Sequence, residues 1–345
     1  MSGTNKKIAL FGEIMLRLKP FGKERFFQTP NFEAVFGGSE ANVAVSLSIL
    51  GKSVKFITAL PRNAIGQGAR RALSYYNVQV AGPESDGRLG IYFLEDGACQ
   101  RPSQVVYDRA GSCFSVSEPE SYDFDGYFSD AEWFHVSGVS PAVSEPAMNS
   151  VMAAVCAAKK AGCAVSVDLN YRKKLWQYGK KAGDVMRVLA SKADVLIANE
   201  EDIQNCLGLP LKNFTTPAES YRHLCDDVKK QFPNIKIVAV TLRHSYSADR
   251  NGWSAVLSGQ TGFYESAHYD IENIVERVGA GDSFAAGLIF GLLEYAEEPS
   301  GESRALDFAT AASCLKHSVS GDFNLAQKDE IETLMNGNGT GRIQR

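Results

Sequence analysis

Short apolar runs alternate with segments of helical spacing along most of this chain, and few folds accommodate that order. Residues 8–11 (IALF) form an apolar run that ends at Gly12 and reads as a buried strand. Residues 41–50 carry small and apolar side chains at helical spacing, and Gly51 stops them. Further strands are predicted at 54–60, 132–136, 164–169, 195–198 and 235–242, with helices at 69–76, 146–161, 182–191, 217–232 and 282–294. Strands and helices of these lengths in alternation predict an α/β fold, a mostly parallel sheet covered by helices on both faces.

Two segments, about 13–36 and 87–112, break the pattern. They are richer in aromatic and charged residues, and 90–94 and 104–107 alternate as strands do. They read as short strands of a small lid inserted into one domain spanning 1–335. The Gly- and Asn-rich tail, 336–345, is expected to be disordered.

Composition narrows the partners. The 345 residues are 44% hydrophobic, enough for a large core, and carry a net charge of −4 without a basic block. Neither nucleic acid nor an anionic membrane surface is an expected partner. The seven cysteines form no CxxC pair, and Cys156, Cys163 and Cys314 sit among small apolar residues. They read as buried, reduced thiols of a cytoplasmic protein. The N-terminal apolar run is too short for a signal peptide, no stretch reaches membrane-spanning length, and the five histidines lack metal spacing.

One motif carries chemistry. The run Glu276-Arg277-Val278-Gly279-Ala280-Gly281-Asp282 opens the apolar helix expected from residue 282. Glycines let the backbone approach a ligand, and the first N–H groups of the helix, with its positive dipole end, favour an anion. A carboxylate beside a phosphate repels it unless it has a task, and accepting a proton from an attacking hydroxyl is one. The plainer alternative makes Asp282 an N-cap after a Gly-rich turn. A second glycine element, Phe36-Gly37-Gly38-Ser39-Glu40-Ala41-Asn42, opens the helix at 41 and could admit a polyol against the backbone; otherwise it is an ordinary strand-to-helix turn.

Together the two elements resemble the signatures of the ribokinase-like (PfkB) family of carbohydrate kinases, over roughly residues 6–335. The resemblance implies a three-layer α/β/α sandwich with a small β lid. It also implies an anion hole at Gly279, Ala280 and Gly281, Asp282 as base, and ATP with Mg²⁺ as cofactors. Asn199-Glu200-Glu201-Asp202 resembles the family's Asn-x-x-Glu element, with Asp202 in the last place or Glu201 serving instead, and implies that Asn199 binds ATP and that Asn199 and Asp202 handle magnesium indirectly, through water. Thr241 and Arg243 would border ATP; Arg243 stands where many members have glycine. The family also implies a possible monovalent cation site in the loop before Gly279.

A narrower resemblance is to 2-keto-3-deoxygluconate kinases. It rests on residues 12–18, the glycine turn, Tyr107-Asp108-Arg109, residues 168–172, and Lys316-His317-Ser318 with Gly321-Asp322. It implies sugar-acid contacts from Gly37, Gly38, Asn42, Tyr92, Tyr107, Arg109, Arg172 and Asp322, with Asn170 and Arg172 near the phosphates. His317, like the other four histidines, reads as structural or solvent-facing, with a place beside the nucleotide as its alternative. Physical reasoning agrees on an acid, since the fixed fork of an arginine meets a carboxylate well. Arg109 lies beside tyrosines in the lid, and Arg172 follows the C-terminal end of a buried strand, where α/β sites form. The alternatives are a fructokinase or other neutral-sugar kinase, and a non-catalytic sugar- or nucleotide-binding protein. Unpaired lid edges make a homo-oligomer, a dimer through the lid or a higher assembly, the expected state.

Overall fold

The computed structural model describes residues 6–337. Residues 338–345, most of the tail expected to be disordered, lie outside them. The central sheet has seven parallel strands. From one edge these are Gln79–Ala81, Val54–Ile57, Lys7–Phe11, Ala131–Ser137, Ala164–Asp168, Val195–Ala198 and Ile237–Ser245. Three further strands, Arg250–Ser258, Phe263–Glu265 and Tyr269–Glu272, continue it in antiparallel fashion. The chain enters at Lys7–Phe11, builds outwards to one side, then returns to build the other. The order therefore reverses beside that first strand, which is where open α/β sheets leave a crevice.

Strand side chains alternate between two cores. Ile8 and Leu10 join one cluster with Phe56, Ile197 and Ala239, under helices Ser39–Ile49, Ala280–Glu294 and Gly301–Lys316. Ala9 and Phe11 join the other with Val136, Val167 and Leu196, under Glu145–Lys160, Ala182–Ala190 and Pro217–Gln231. Burial on both faces explains why these strands read as continuous apolar runs.

A separate four-stranded sheet, ordered Glu33–Gly37, Met15–Lys19, Ile91–Glu95 and Gln104–Asp108, is built from the two segments that broke the pattern.

Some expectations need correction. The strand expected at 54–60 is two: Val54–Ile57 stays in the main sheet, while Leu60–Pro61 leaves it to pair with Glu84–Ser85. The helix expected from 69 begins at Ala64, because the Asn63 side chain accepts from the N–H groups of Ile65 and Gly66. Of the cysteines expected to be buried, Cys99 and Cys156 are exposed and Cys314 is half-buried; the helix Glu145–Lys160 turns Cys156 outward. Among the described residues no helix is long and apolar enough to cross a membrane.

Candidate active site

The carboxyl ends of the parallel strands, the four-stranded sheet and the start of helix Ala280–Glu294 line one cavity of about 460 Å³. Gly279 takes φ 83°, in the left-handed region that suits glycine, and turns the chain into that helix. A side chain on Gly279 would also strike the Asp322 carbonyl. Gly281 differs: a Cβ added there meets nothing within 4 Å. Open space thus lies beside the first-turn N–H groups, as a bound phosphate requires.

Asp282 sits in the first turn and is buried. Its side chain caps nothing, so the plainer N-cap reading fails. Instead the Ser39 hydroxyl donates to Oδ1 at 2.8 Å and the Asn42 amide to Oδ2 at 2.7 Å. Burial raises the Asp282 carboxyl above its ordinary range, and these two bonds pull it partly back. Asn170 donates to the Ser39 hydroxyl at 3.1 Å, joining the next strand end to the same network.

The glycine pair has a packing reason different from the one expected. A Cβ on Gly37 would collide with the Asp322 carboxylate, and one on Gly38 with the Glu13 carbonyl. Gly38 lines the cavity while Gly37 lies behind it. The pair lets the lid strand, the Asp322 turn and helix Ser39–Ile49 meet at close range.

Asp322 is buried on the cavity wall. Arg17 Nη1 donates to its Oδ1 at 2.6 Å, and the Tyr92 hydroxyl donates to Oδ2. Burial raises this carboxyl too, against the pull of Arg17.

Arg109 and Arg172 line the same cavity by different means. Arg109 is buried and gives Nε and Nη2 to Glu13 Oε2 at 2.8 and 2.6 Å. Its Nη1 is buried without a partner, and the guanidinium lies 5.8 Å from the Tyr107 ring centre. Arg172 is exposed on the open side, with Nη1 donating to the Tyr171 carbonyl at 3.1 Å. Both face one space, but Glu13 already holds much of the Arg109 fork.

At the other end, Asn199 caps helix Glu200–Leu207. Its Oδ1 accepts from the Asp202 N–H at 2.8 Å, and its amide donates to Asp202 Oδ2 at 3.1 Å. Burial pushes Asp202 up to about 6, opposed by Arg172. Thr241, Arg243 and His317 also line the wall. Among the described residues no three His, Cys, Asp or Glu side chains gather to hold a metal. Magnesium keeps several waters and rides on phosphates with one or two carboxylates, so Asp202, which lines the same cavity as the anion loop, is a donor that fits.

Several residues on this wall escaped the sequence. Ser39 binds Asp282 from the first position of a helix; a hydroxyl directly after two glycines was the available signal. Asn251 and Trp253 line the cavity from Arg250–Ser258, a strand not read as one, and carried no motif.

The chain is similar to known proteins over nearly its whole length. The sequence profile described as pfkB family carbohydrate kinase matches residues 5–328. The solved 2-dehydro-3-deoxygluconokinase of Thermotoga maritima superposes with a TM-score of 0.89 at 42% identity, covering 96% of this chain and 100% of that one. A 2-dehydro-3-deoxygalactonokinase of Haloferax volcanii is 32% identical over 97% of this chain and 98% of its own. A fructokinase of Klebsiella pneumoniae is 27% identical over 90% and 92%.

Proposed function

This chain belongs to the pfkB family of carbohydrate kinases, and from that premise we propose that it transfers the γ-phosphoryl group of ATP to the C6 hydroxyl of 2-keto-3-deoxygluconate or a close keto-deoxy sugar acid. The observation that carries the proposal is one cavity that joins an oriented carboxylate, Asp282, to an open anion loop and to two arginines. The similarity to kinases of two 2-dehydro-3-deoxy sugar acids supports the same class.

In this reading the sugar lies between the four-stranded sheet and helix Ser39–Ile49. Arg109 Nη1 and Arg172 meet its carboxylate, and Asp322 and Tyr92 meet its hydroxyls. Asp282 takes the proton of the C6 hydroxyl as that oxygen bonds to phosphorus and the bond to the bridging oxygen of ADP breaks. The N–H groups of Gly279, Ala280 and Gly281 receive the charge on the transferring group. Magnesium, when bound, would neutralise phosphate charge, and Asp202 and Asn199 are the residues that would hold it indirectly.

A second reading has one observation in its favour. Because Arg109 is already engaged by Glu13, a neutral sugar such as fructose would leave that pair undisturbed. The deciding experiment is ATP-dependent phosphorylation of 2-keto-3-deoxygluconate, 2-keto-3-deoxygalactonate, fructose and ribose by the purified chain, with Asp282→Asn as control. Turnover confined to the keto acids and lost in the control is the expected result. Preference for fructose would remove the sugar-acid assignment.

A further inference from the structure

The loop before Gly279, where the family resemblance implies a monovalent cation, is already occupied by charge from the chain itself. Six buried ionisable residues gather beneath it: Arg17, Lys19 and Lys316 against Asp96, Glu276 and Asp322. Arg17 spans two acids, Nη1 to Asp322 at 2.6 Å and Nη2 to Glu276 at 3.0 Å. Lys19 reaches Asp96 at 2.6 Å and Glu276 at 3.4 Å. With Lys316 charged, three cations balance three carboxylates.

Of the three cations, Lys316 is the one that bonds a backbone carbonyl and not a carboxylate. It is fully buried, and its ammonium donates to the Val319 carbonyl at 2.9 Å. Its stem runs under the anion loop; a Cβ placed on Gly279 would lie 3.2 Å from Lys316 Cε. The same turn anchors the loop, since the His317 carbonyl accepts from the N–H groups of Val275 at 2.9 Å and Glu276 at 3.3 Å. From the other side, Glu276 Oε1 accepts from the N–H groups of Arg277 at 3.1 Å and Val278 at 3.3 Å. Burial lowers the Lys316 ammonium to about 8, with Glu276, Asp322 and Asp282 opposing.

We propose that Lys316 is a built-in cation of the anion loop, supplying the positive charge that a bound monovalent cation would otherwise supply, so that this kinase needs no added K⁺. Taking a further cation into this buried cluster costs its desolvation with no carboxylate among the six left uncompensated to repay it. Removing Lys316 reverses the balance: the cluster then carries one net negative charge, and the Val319 carbonyl loses its donor. A K⁺ ion suits that vacancy in both charge and oxygen ligation.

The inference rests on the kinase reading for its rate measurement but not for its stability measurement, so the two can fail separately. The full chain and Lys316→Met are each melted, and each assayed with ATP and the sugar it phosphorylates, in tetramethylammonium chloride and in KCl at equal ionic strength. For the native chain, melting midpoint and kcat are expected to be the same in both salts within about twofold, as a neutral buried cluster requires. Lys316→Met should lose about tenfold or more in kcat in tetramethylammonium, as loss of one buried charge partner implies. K⁺ should then raise its midpoint and restore part of its kcat, saturably. A native chain that slows about fivefold without K⁺ would overturn the proposal, as would a folded Lys316→Met whose midpoint and rate ignore K⁺. If Lys316→Met does not fold, the native chain's response decides alone, because K⁺ activation or stabilisation there contradicts a built-in cation.

Discussion

Asn42 donates its side-chain amide to Asp282 Oδ2 at 2.7 Å across 240 residues of sequence, while Ser39, one helical turn away, holds Oδ1 at 2.8 Å. The carboxylate is thereby fixed on both oxygens before any substrate arrives, and its reach toward the cavity is set by helix Ser39–Ile49, not by its own helix alone. As the proposed base, Asp282 is expected to lose about 10²–10⁴-fold in kcat on changing to Asn. Asn42→Ala should cost about 10–100-fold, the worth of one hydrogen bond to a charged group. Steady-state kinetics with MgATP saturating check both. Equal kcat in native and Asn42→Ala chains would show that the amide does not orient the carboxylate for transfer.

The same pair fixes a pH dependence. Burial raises the Asp282 carboxyl, so its ionised, proton-accepting form is lost as pH falls through a value above the ordinary aspartate pKa of about 4. Asn42 favours the charged form; without its amide the acid limb of the kcat profile should move to higher pH. A pH profile of kcat for the native chain and Asn42→Ala measures the displacement. A limb that stays in place, or moves to lower pH, assigns the titration to another group.

Much of this arrangement was legible because local physics wrote it. Apolar runs at 8–11, 164–169 and 195–198 announced strands buried on both faces, and Gly279 and Gly281 marked a turn into a helix with an open anion site. What stayed hidden depends on distant pairing. Arg250–Ser258 mixes polar residues into an antiparallel extension, so its Asn251 and Trp253 gave no sign of facing the cavity. Helix Gly301–Lys316 packs so closely on Ala280–Glu294 that a Cβ on Gly291 would lie 2.6 Å from Ala305 Cα. Those glycines within an apolar helix record a contact whose other half lay in an unread segment. Arg17 stood within the 12–18 motif with no partner assigned to it, and only the fold shows it bridging Asp322 and Glu276.

The two arginines should separate by variant. Arg172 is exposed, its one hydrogen bond goes to the Tyr171 carbonyl, and it holds no carboxylate in an ion pair, though its charge lowers Asp202, Asp168 and Asp282. Arg172→Ala should therefore leave the melting midpoint unchanged while raising KM for the keto acid about 10–100-fold, the loss of one charge-assisted contact. Arg109→Ala strands the buried Glu13 carboxylate, and breaking such a pair costs about 3–5 kcal/mol of stability. Thermal melts beside kinetics for both variants test the division. An unaltered KM for the acid in Arg172→Ala would take Arg172 out of substrate recognition.

Glu40 supplies a stability switch next to the site. It is buried, and one oxygen, Oε1, accepts both the Ser137 N–H at 2.9 Å and the Ser140 hydroxyl at 2.7 Å. Burial nevertheless pushes its carboxyl up to about 7. A folded value above the unfolded one, about 4.3 for glutamate, means its stabilising contribution is complete below that lower value and is lost as pH rises through 7. Glu40→Gln keeps an oxygen for both donors and carries no charge to bury. Its advantage over the native chain should grow between pH 5 and pH 8.5 by on the order of 2–3 kcal/mol. Urea unfolding of both chains at the two pH values measures the difference. A gain of equal size at both would mean that the substitution acts through packing against Gly12 rather than through ionisation of Glu40.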